Sequence, residues 1–299
     1  MSESSHERIR QSQLAGKWYP EKAAEVKKEI LSWEPYISAS ENKRTIGTRG
    51  QNQVMTIVPH AGWFFSGRLA ASTLKAALEL FGQKGPEAVV ILGGHLPKGA
   101  PTVSFTEDAW DTPLAPVTLA PNMNAALAKN LGTSVQLVSW EGRTNDNTIE
   151  VLLPLIKYYF PHAAILALRA APDQSALILA KALLQLFKDK KTLYVASTDL
   201  THYGYGYGFA PAGVGAKGEK YREKNDRFFI QAALELNSKE LLDLGNYNMA
   251  ACSAGAASVC SEIAALLGAS GVLVDYYSST DILPGEQSVG YAGILYAED

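Results

Sequence analysis

Residues 54–60 read Val-Met-Thr-Ile-Val-Pro-His. The stretch Val54–Val58 is apolar or β-branched on both of its alternating faces, which predicts a strand covered on both sides of its sheet. Strands of this kind are typical of parallel sheets flanked by helices. His60 follows the strand after Pro59, and an imidazole at the end of such a strand can bind a metal ion or move a proton.

Similar short runs alternate with longer helical patterns along the chain. Strands are predicted at Val54–Val58, Ala88–Leu92, Ala163–Leu168, Leu193–Ser197, Val272–Tyr276 and Ser288–Tyr296, and helices at Glu21–Trp33, Gly67–Leu80, Asn122–Asn130, Thr148–Tyr158, Asp173–Phe187, Glu219–Leu236 and Cys252–Leu267. This alternation predicts an α/β fold with a mainly parallel central sheet and helices on both faces. Ligands of such sheets gather beyond the carboxyl ends of the strands.

The overall composition indicates an ordinary globular protein. Of the 299 residues, 47% are hydrophobic and 19% are charged, and the formal net charge is −3. A nucleic-acid binder would show clustered Lys and Arg, and a membrane helix needs about 18 or more consecutive apolar residues, so neither nucleic acid nor membrane is an expected partner. We expect a flexible polar tail over residues 1–13 and one α/β domain over residues 14–299.

The two cysteines, Cys252 and Cys260, do not make a disulfide framework. They lie eight residues apart on one predicted helix, too far along its axis to bridge easily. Free thiols favour a reducing compartment, so we expect a cytoplasmic protein. The segment Tyr203–Gly218 contains six glycines and several aromatics, which is typical of a mobile surface loop beside a site.

Three of the five histidines follow predicted strands. They are His60, His95 in Gly93-Gly94-His95, and His202 in Asp199-Leu200-Thr201-His202. If the strands are parallel, the three imidazoles emerge at one edge of the sheet and can bind a metal ion or relay protons. The alternative is that each histidine only forms a local hydrogen bond at the end of its strand.

Three further residues are candidates for the same site. Cys252 opens a predicted helix, where the helix dipole favours the thiolate, although a free cysteine is more often a small packing residue. Asp199 either orients His202, acts as a base or caps a turn. Glu150 falls in the first turn of a predicted helix, where a capping role is the alternative.

Taken together, the motifs resemble the Memo-like family, also called AmmeMemoRadiSam system protein B, over nearly the whole chain. The most specific segment is Ser197-Thr198-Asp199-Leu200-Thr201-His202-Tyr203-Gly204, close to the family's S-S-D-L-S-H-Y-G. The other matching segments are Ala15–Pro20, Pro59–Gly62 with Ser66-Gly67, Ile91–His95, Thr112–Leu114, Glu150–Pro154 and Cys252 near a helix start.

The resemblance implies a fold similar to that of the class III extradiol dioxygenases, which cleave aromatic rings with non-haem iron. It places His60 and His95 on metal-ligand positions and His202 on the position of the catalytic acid–base, with Asp199 beside it. Cys252 falls where the dioxygenases have a carboxylate ligand. Members of the family are implicated in binding copper or iron, in redox chemistry and in binding phosphotyrosine peptides.

The sequence departs from the family pattern at three places. Asn147 replaces a histidine, Ser253 replaces a glycine, and the loop at Gly93-Gly94-His95 is one residue shorter. A cysteine ligand also changes the expected metal, because a thiolate is softer than a carboxylate and favours copper(I) or zinc over iron(II).

We therefore expect a single iron, copper or zinc ion and an oxidoreductase related to the dioxygenases. Trp18 and Trp63, with Phe64, are predicted to bind a small aromatic molecule or a tyrosine-containing peptide, and Glu150 is placed with them. Three alternatives stay open. They are a non-catalytic metal- or peptide-binding protein with a vestigial pocket, a nucleotide binder using the G-x-G-x-x-G at residues 213–218, and a hydrolase with Cys252 as nucleophile and His202 as base.

Overall fold

The computed structural model describes residues 7–41, 50–82, 84–139 and 146–298, without the side chains of residues 38–41 and 121. Its strands are β1 (Ile9–Arg10), β2 (Gln53–Val58), β3 (Ala88–Gly93), β4 (Thr102–Phe105), β5 (Ala109–Trp110), β6 (Val117–Thr118), β7 (Val135–Val138), β8 (Ala164–Arg169), β9 (Thr192–Ser197), β10 (His202–Tyr203), β11 (Ser270–Ser278) and β12 (Ser288–Ala297). Its helices are α1 (Ala23–Ser32), α2 (Glu34–Glu41), α3 (Trp63–Phe81), α4 (Pro121–Leu131), α5 (Asn147–Glu150), α6 (Leu153–Tyr159), α7 (Ser175–Leu186), α8 (Ala216–Leu234), α9 (Ser238–Asn248) and α10 (Ala254–Leu267).

The central sheet has nine strands in the order β10-β12-β2-β9-β3-β8-β4-β7, with β11 paired to β12. The four strands β2, β9, β3 and β8 run parallel to one another, which confirms the predicted parallel centre. β12 joins the sheet antiparallel to β2, and β4 pairs antiparallel to β8. The carboxyl ends of the four parallel strands therefore meet at one edge, where the candidate histidines follow them.

Helices cover both faces of this sheet, as the sequence predicts. In β2, Val54 and Val58 face one apolar core, which α1, α2, α3 and α6 complete, whereas Met55 and Ile57 face a second core. The second core is completed by α4 and by α7 through α10. Side chains of a strand alternate between faces, so a strand that is buried on both sides needs the continuous apolar run found here.

Two expectations about the elements need correction. The helix predicted over Thr148–Tyr158 divides into α5 and α6, since Pro154 stands in the first turn of the second helix, a position that proline favours. The helix predicted from Cys252 begins at Ala254, with Ser253 as its N-cap residue, so Cys252 precedes the helix.

The predicted flexible tail does not extend over Ile9 and Arg10. These residues pair with β5 in a separate three-stranded sheet, and the buried Arg10 guanidinium lies 3.5 Å from the centre of the Trp110 ring. Residues 1–6 of that predicted tail lie outside the described residues. Among the described helices, none combines the length and apolarity that crossing a membrane requires.

Candidate functional site

His60 is held at the carboxyl end of β2 by two neighbours from the end of β9. Its backbone N–H donates to Asp199 Oδ1 at 2.7 Å, and its ring Nδ1 lies 2.9 Å from Ser197 Oγ. The parallel register places Val58 opposite Ser197, which brings the two strand ends together. With Nδ1 engaged in this way, Nε2 is left to face Cys252.

His95 follows β3 in a tightly packed turn. Its φ of 60° lies in the left-handed region, which residues other than glycine rarely adopt. The preceding glycines allow close approach of other segments, because a Cβ at Gly93 would collide with Thr148 Oγ1 and one at Gly94 would collide with Ser253 Oγ. The His95 ring lies 5.4 Å from the His60 ring, centre to centre. This turn places the His95 ring next to the His60 ring.

Cys252 lies between α9 and α10 and is tied to the end of β9. Its N–H donates to the Asp199 carbonyl at 3.2 Å, and the next amide, of Ser253, donates to Thr198 Oγ1 at 3.0 Å. The half-buried Sγ stands 3.3 Å from His60 Nε2 and 3.7 Å from Thr198 Oγ1. The thiol therefore contacts the imidazoles of His60 and His95. A cysteine hydrolase of the predicted type would instead require a contact with His202.

The three side chains form a cluster with the spacing of metal ligands. One candidate ligand atom each from His60, His95 and Cys252 lies within 4.8 Å of the others. Metal–nitrogen and metal–sulfur distances near 2.0–2.3 Å place neighbouring ligands of a tetrahedral ion roughly 3.5 Å apart, close to the observed nitrogen–sulfur distance. Ser197 also supplies the second hydrogen bond that metal-binding imidazoles usually make. The donor set therefore fits a single ion.

The electrostatics of the cluster favour charged ligands. Burial alone would lower the pKa of His60, but Cys252 and Asp199 raise it to about 9. Burial alone would raise the pKa of the Cys252 thiol, but His60 and the other imidazoles bring it well below its usual value. A thiolate next to an imidazolium is the expected metal-free state, and a bound cation would take the place of the proton.

Two members of the cluster, His60 and His95, line a cavity of about 800 Å³, although His95 is itself an exposed residue. Asp199 and His202 line the same cavity. The cavity is also lined by Trp18 and Phe64, which are 37% and 68% exposed, and by further side chains, namely Lys17, Phe65, Asn147, Tyr207, Ser279, Leu283, Pro284, Glu286, Gln287, Val289 and Tyr291. The wall thus combines aromatic and apolar side chains with several polar ones.

His202 and Asp199 reach the cavity, but they do not form the pair that the sequence suggested. His202 Nδ1 lies 3.2 Å from the Leu200 carbonyl, and its ring packs edge-on against Tyr207 at 5.1 Å. Asp199 instead accepts the His60 amide through Oδ1 and stands 4.0 Å from His60 Nε2 through Oδ2. Burial raises the pKa of Asp199, while His60 partly offsets this effect.

Two predicted substrate-binding residues lie elsewhere, although the structure describes both. The Trp63 ring is buried against Trp33 and Tyr19, and its Nε1 donates to the Val151 carbonyl. Glu150 is fully buried, and its Oε1 accepts hydrogen bonds from the amides of residues 13 and 14 and from Tyr19 OH. Neither side chain lines the cavity, and the substrate contact expected of Trp63 and Glu150 stays a prediction.

The glycine-rich segment Tyr203–Gly218 is anchored by its own contacts. Tyr203 OH donates to the Gly213 carbonyl and accepts the Ala212 amide. Residues 204–212 form a turn and a single bridge before Gly213, and not the strand that a phosphate-binding loop requires. The segment reaches the cavity through Tyr207. A nucleotide cradle at residues 213–218 is therefore unsupported.

Sequence reasoning missed two parts of the wall. Tyr207 and the segment Leu283–Gln287 line the cavity because β12 pairs with the short strand β10, which brings the chain before β12 next to His202. No local motif reports this pairing. Asn147, singled out only as a departure from a family pattern, is also a wall residue.

Comparison with known proteins decides the family. The sequence model of Memo-like proteins matches residues 10–295. The chain belongs to the Memo-like family. It is 30% identical over 249 residues to a MEMO1 family protein of Methanopyrus kandleri, covering 80% of this chain and 82% of that one. It is 27% identical over 300 residues to a MEMO1 family protein of Nitrosopumilus maritimus, covering 96% and 99%.

A solved structure supports the fold of this Memo-like chain. An uncharacterized protein of Escherichia coli K12 superposes with a TM-score of 0.56 at 13% identity, covering 81% of this chain and 98% of that one. At this identity the likeness concerns the fold alone.

Proposed function

We propose that this Memo-like protein is a metal-dependent oxidoreductase whose single ion is held by His60, His95 and Cys252. The proposal is carried by one observation: ligand atoms from three distant chain segments lie within 4.8 Å of one another, and the two histidines among them line an open cavity. Catalytic metal sites typically have three protein ligands and keep a further position for water or substrate. A structural site would be expected to close around its ion.

The donor set bears on which ion is held. Two imidazoles and a thiolate are softer than the two histidines and carboxylate of the iron(II) oxygenases, and they favour copper(I) or zinc. When bound, a redox-active ion such as copper would supply electron transfer and polarise a bound oxygen atom. A cysteine ligand must stay reduced, which fits the cytoplasm, where we place the protein.

His202 is the proposed acid–base group. A carbonyl oxygen can only accept, so the contact with Leu200 requires Nδ1 to carry a proton, and Nε2 remains for the cavity. An imidazole held in this way can act as a general acid or base toward a ligand in the cavity. Asp199 fixes the backbone of His60 and contributes negative charge beside the cluster.

The proposed substrate is a small aromatic molecule or a tyrosine side chain of a peptide. A volume of about 800 Å³ lies within the range of roughly 300–1,000 Å³ that drug-sized ligands occupy. Trp18, Phe64 and Tyr207 supply rings on which an aromatic ligand would stack.

Metal binding is the first test, and the chain offers matched controls. Purified protein would be loaded anaerobically with copper(I), iron(II) or zinc and analysed for metal content and affinity. We expect one equivalent in the wild type, and at least a tenfold weaker affinity for His60→Ala and Cys252→Ala. The controls are His162→Ala, at an exposed position, and Cys260→Ala, inside the second apolar core. Equal affinity in all four variants would refute the proposed site.

The alternative is a metal-binding protein without catalytic activity, and Cys252 favours it. A thiolate in place of a carboxylate holds a soft ion firmly and suits storage or sensing. Incubation of the loaded protein with catechols or tyrosine peptides under air, followed by oxygen uptake, separates the two functions. Uptake that falls in His202→Gln, with unchanged metal content, supports the oxidoreductase. Full metal content without uptake for any substrate supports the alternative.

A further inference from the structure

A buried ion pair on α8 lies directly behind the backbone that carries His202. Asp226 is fully buried, and its Oδ1 accepts the Thr201 amide at 3.0 Å. Its Oδ2 accepts Arg222 Nη1 at 2.7 Å and Tyr276 OH at 2.8 Å. Both carboxylate oxygens thus act only as acceptors, which is the behaviour of an ionised group with satisfied hydrogen bonds.

The same carboxylate touches the neighbouring strand. A Cβ at Gly290 would collide with Asp226 Oδ2, so the backbone of β12 passes directly against the ion pair. Gly290 in turn accepts the Leu200 amide at 2.8 Å and donates its own amide to the Thr201 carbonyl at 3.2 Å. Asp226 therefore contacts both backbone segments that determine where the Leu200 carbonyl lies.

The Leu200 carbonyl is the group that contacts His202 Nδ1, at 3.2 Å. In a neutral imidazole, the hydrogen bond made by one ring nitrogen determines whether the other nitrogen carries the proton. The contact with the Leu200 carbonyl therefore decides which nitrogen of His202 is protonated. If the carbonyl moved away, the ring would be free to rotate or to place its proton on Nε2. The nitrogen that faces the cavity would then change from acceptor to donor.

We infer that Asp226 is a positioning residue that, through Thr201 and Gly290, keeps His202 in a single tautomer with the proton on Nδ1. This inference rests on the proposed function, which gives His202 the proton-transfer role. A buried ion pair is weak support for stability as such, because desolvation of the two charges offsets much of their attraction. Fixing the backbone next to His202 in one position is a role that accounts for the ion pair between Asp226 and Arg222.

The network continues to the outer wall of the cavity. Arg222 also donates to Glu219 Oε2, which accepts Thr280 Oγ1 at 3.2 Å. Thr280 lies in the turn that precedes the cavity-lining segment Leu283–Gln287. The ion pair thus links the backbone of His202 and the turn before the cavity-lining segment Leu283–Gln287 in one hydrogen-bonded system.

The test reads the tautomer directly. Nitrogen-15 spectra of histidine-labelled, metal-free protein, recorded above the titration range of the imidazoles, distinguish protonated from unprotonated Nδ1, and a His202→Gln sample assigns the signal. The test variant combines Asp226→Ala with Arg222→Met, so that neither charge is left buried alone. The control combines Glu223→Gln with Arg227→Met, an exposed ion pair with the same spacing on the same helix.

We expect the wild type and the control to show His202 only with a protonated Nδ1, and the test variant to lose that single signal. If the double variant does not fold, Tyr276→Phe is the second variant. It keeps the ion pair and removes only the phenol, which donates to Asp226 and accepts from Arg222, so a smaller second population is expected. A wild-type His202 without the Nδ1 proton, or an unchanged signal in the folded variants, overturns the inference. Because no metal is present, failure here leaves the metal-binding test untouched, and the reverse holds equally.

Discussion

Glu150→Gln is a perturbation whose cost can be worked out from the structure. Glu150 Oε1 accepts three hydrogen bonds, from the amides of Gln13 and Leu14 and from Tyr19 OH. Hydrogen bonds to a charged acceptor contribute about 1.5–3 kcal/mol each and neutral ones about 0.5–1.5, so neutralising the acceptor costs about 1 kcal/mol per bond. The expected loss is about 3 kcal/mol, with a further contribution from the carboxylate's 3.9 Å contact with Arg10.

This loss translates into a measurable change in melting temperature. For 299 residues, an unfolding entropy of about 2.1 cal/mol/K per residue gives about 0.6 kcal/mol/K, so 3 kcal/mol lowers the Tm by about 5 °C. Differential scanning calorimetry measures the shift. Glu223→Gln is the control, because its ion pair with Arg227 is exposed and contributes less than about 1 kcal/mol.

The cavity provides a second readout of the same variant. Glu150 anchors the segment that carries Trp18, and the Trp18 carbonyl in turn accepts the Trp63 amide at 2.8 Å. We therefore expect weaker binding of aromatic ligands with unchanged metal affinity. A Tm within 1 °C of both the wild type and Glu223→Gln would refute the role assigned to the buried carboxylate.

Three further predictions concern the cluster of candidate metal ligands. Gly94→Ala should weaken metal affinity by about tenfold or more, because its Cβ would displace Ser253 next to Cys252. The control Gly99→Ala should leave metal affinity unchanged, because its Cβ meets no neighbouring atom. Calorimetric titration measures both affinities. Because His60 lowers the pKa of the Cys252 thiol, alkylation of Cys252 in metal-free protein should proceed well below pH 9. His60→Ala should move the pH dependence of the alkylation rate to higher pH, as mass spectrometry of the labelled peptide will show. Identical profiles for the two proteins would contradict the interaction between His60 and Cys252. Removing the ion with a chelator should lower the Tm by about 4 °C, because a ligand at 100 times its Kd stabilises the folded protein by about 2.7 kcal/mol. The same chelator should leave the Tm of Cys252→Ala unchanged.

The sequence predicts the ligand cluster because the ends of buried strands can be identified from the local residue pattern. Continuous apolar runs indicate parallel strands buried on both faces, and parallel strands place the residues that follow them at one edge. His60 and His95 are therefore expected at the same edge of the sheet from the sequence alone. Cys252 was found through the start of a helix, although the helix begins two residues later.

The cavity wall is less predictable for an equally physical reason. Whether a ring at the start of a helix points to a cavity or to the core depends on packing against distant segments. Trp63 packs on Trp33 and Tyr19, whereas the adjacent Phe64 is exposed at the mouth. The surroundings of Glu150 are equally hard to predict, because its hydrogen-bond partners lie more than 130 residues earlier in the chain.

The contact between Gly94 and Ser253 has a consequence for how such a centre can change over evolution. The two loops that present His95 and Cys252 meet through main chain and one small hydroxyl, with no bulky group between them. Their separation is therefore a property of the scaffold and is independent of which donors the loops display. Exchanging the thiol for a carboxylate or an imidazole would change the donor set without rebuilding the frame, so the ion preference proposed for this site should respond to a single substitution.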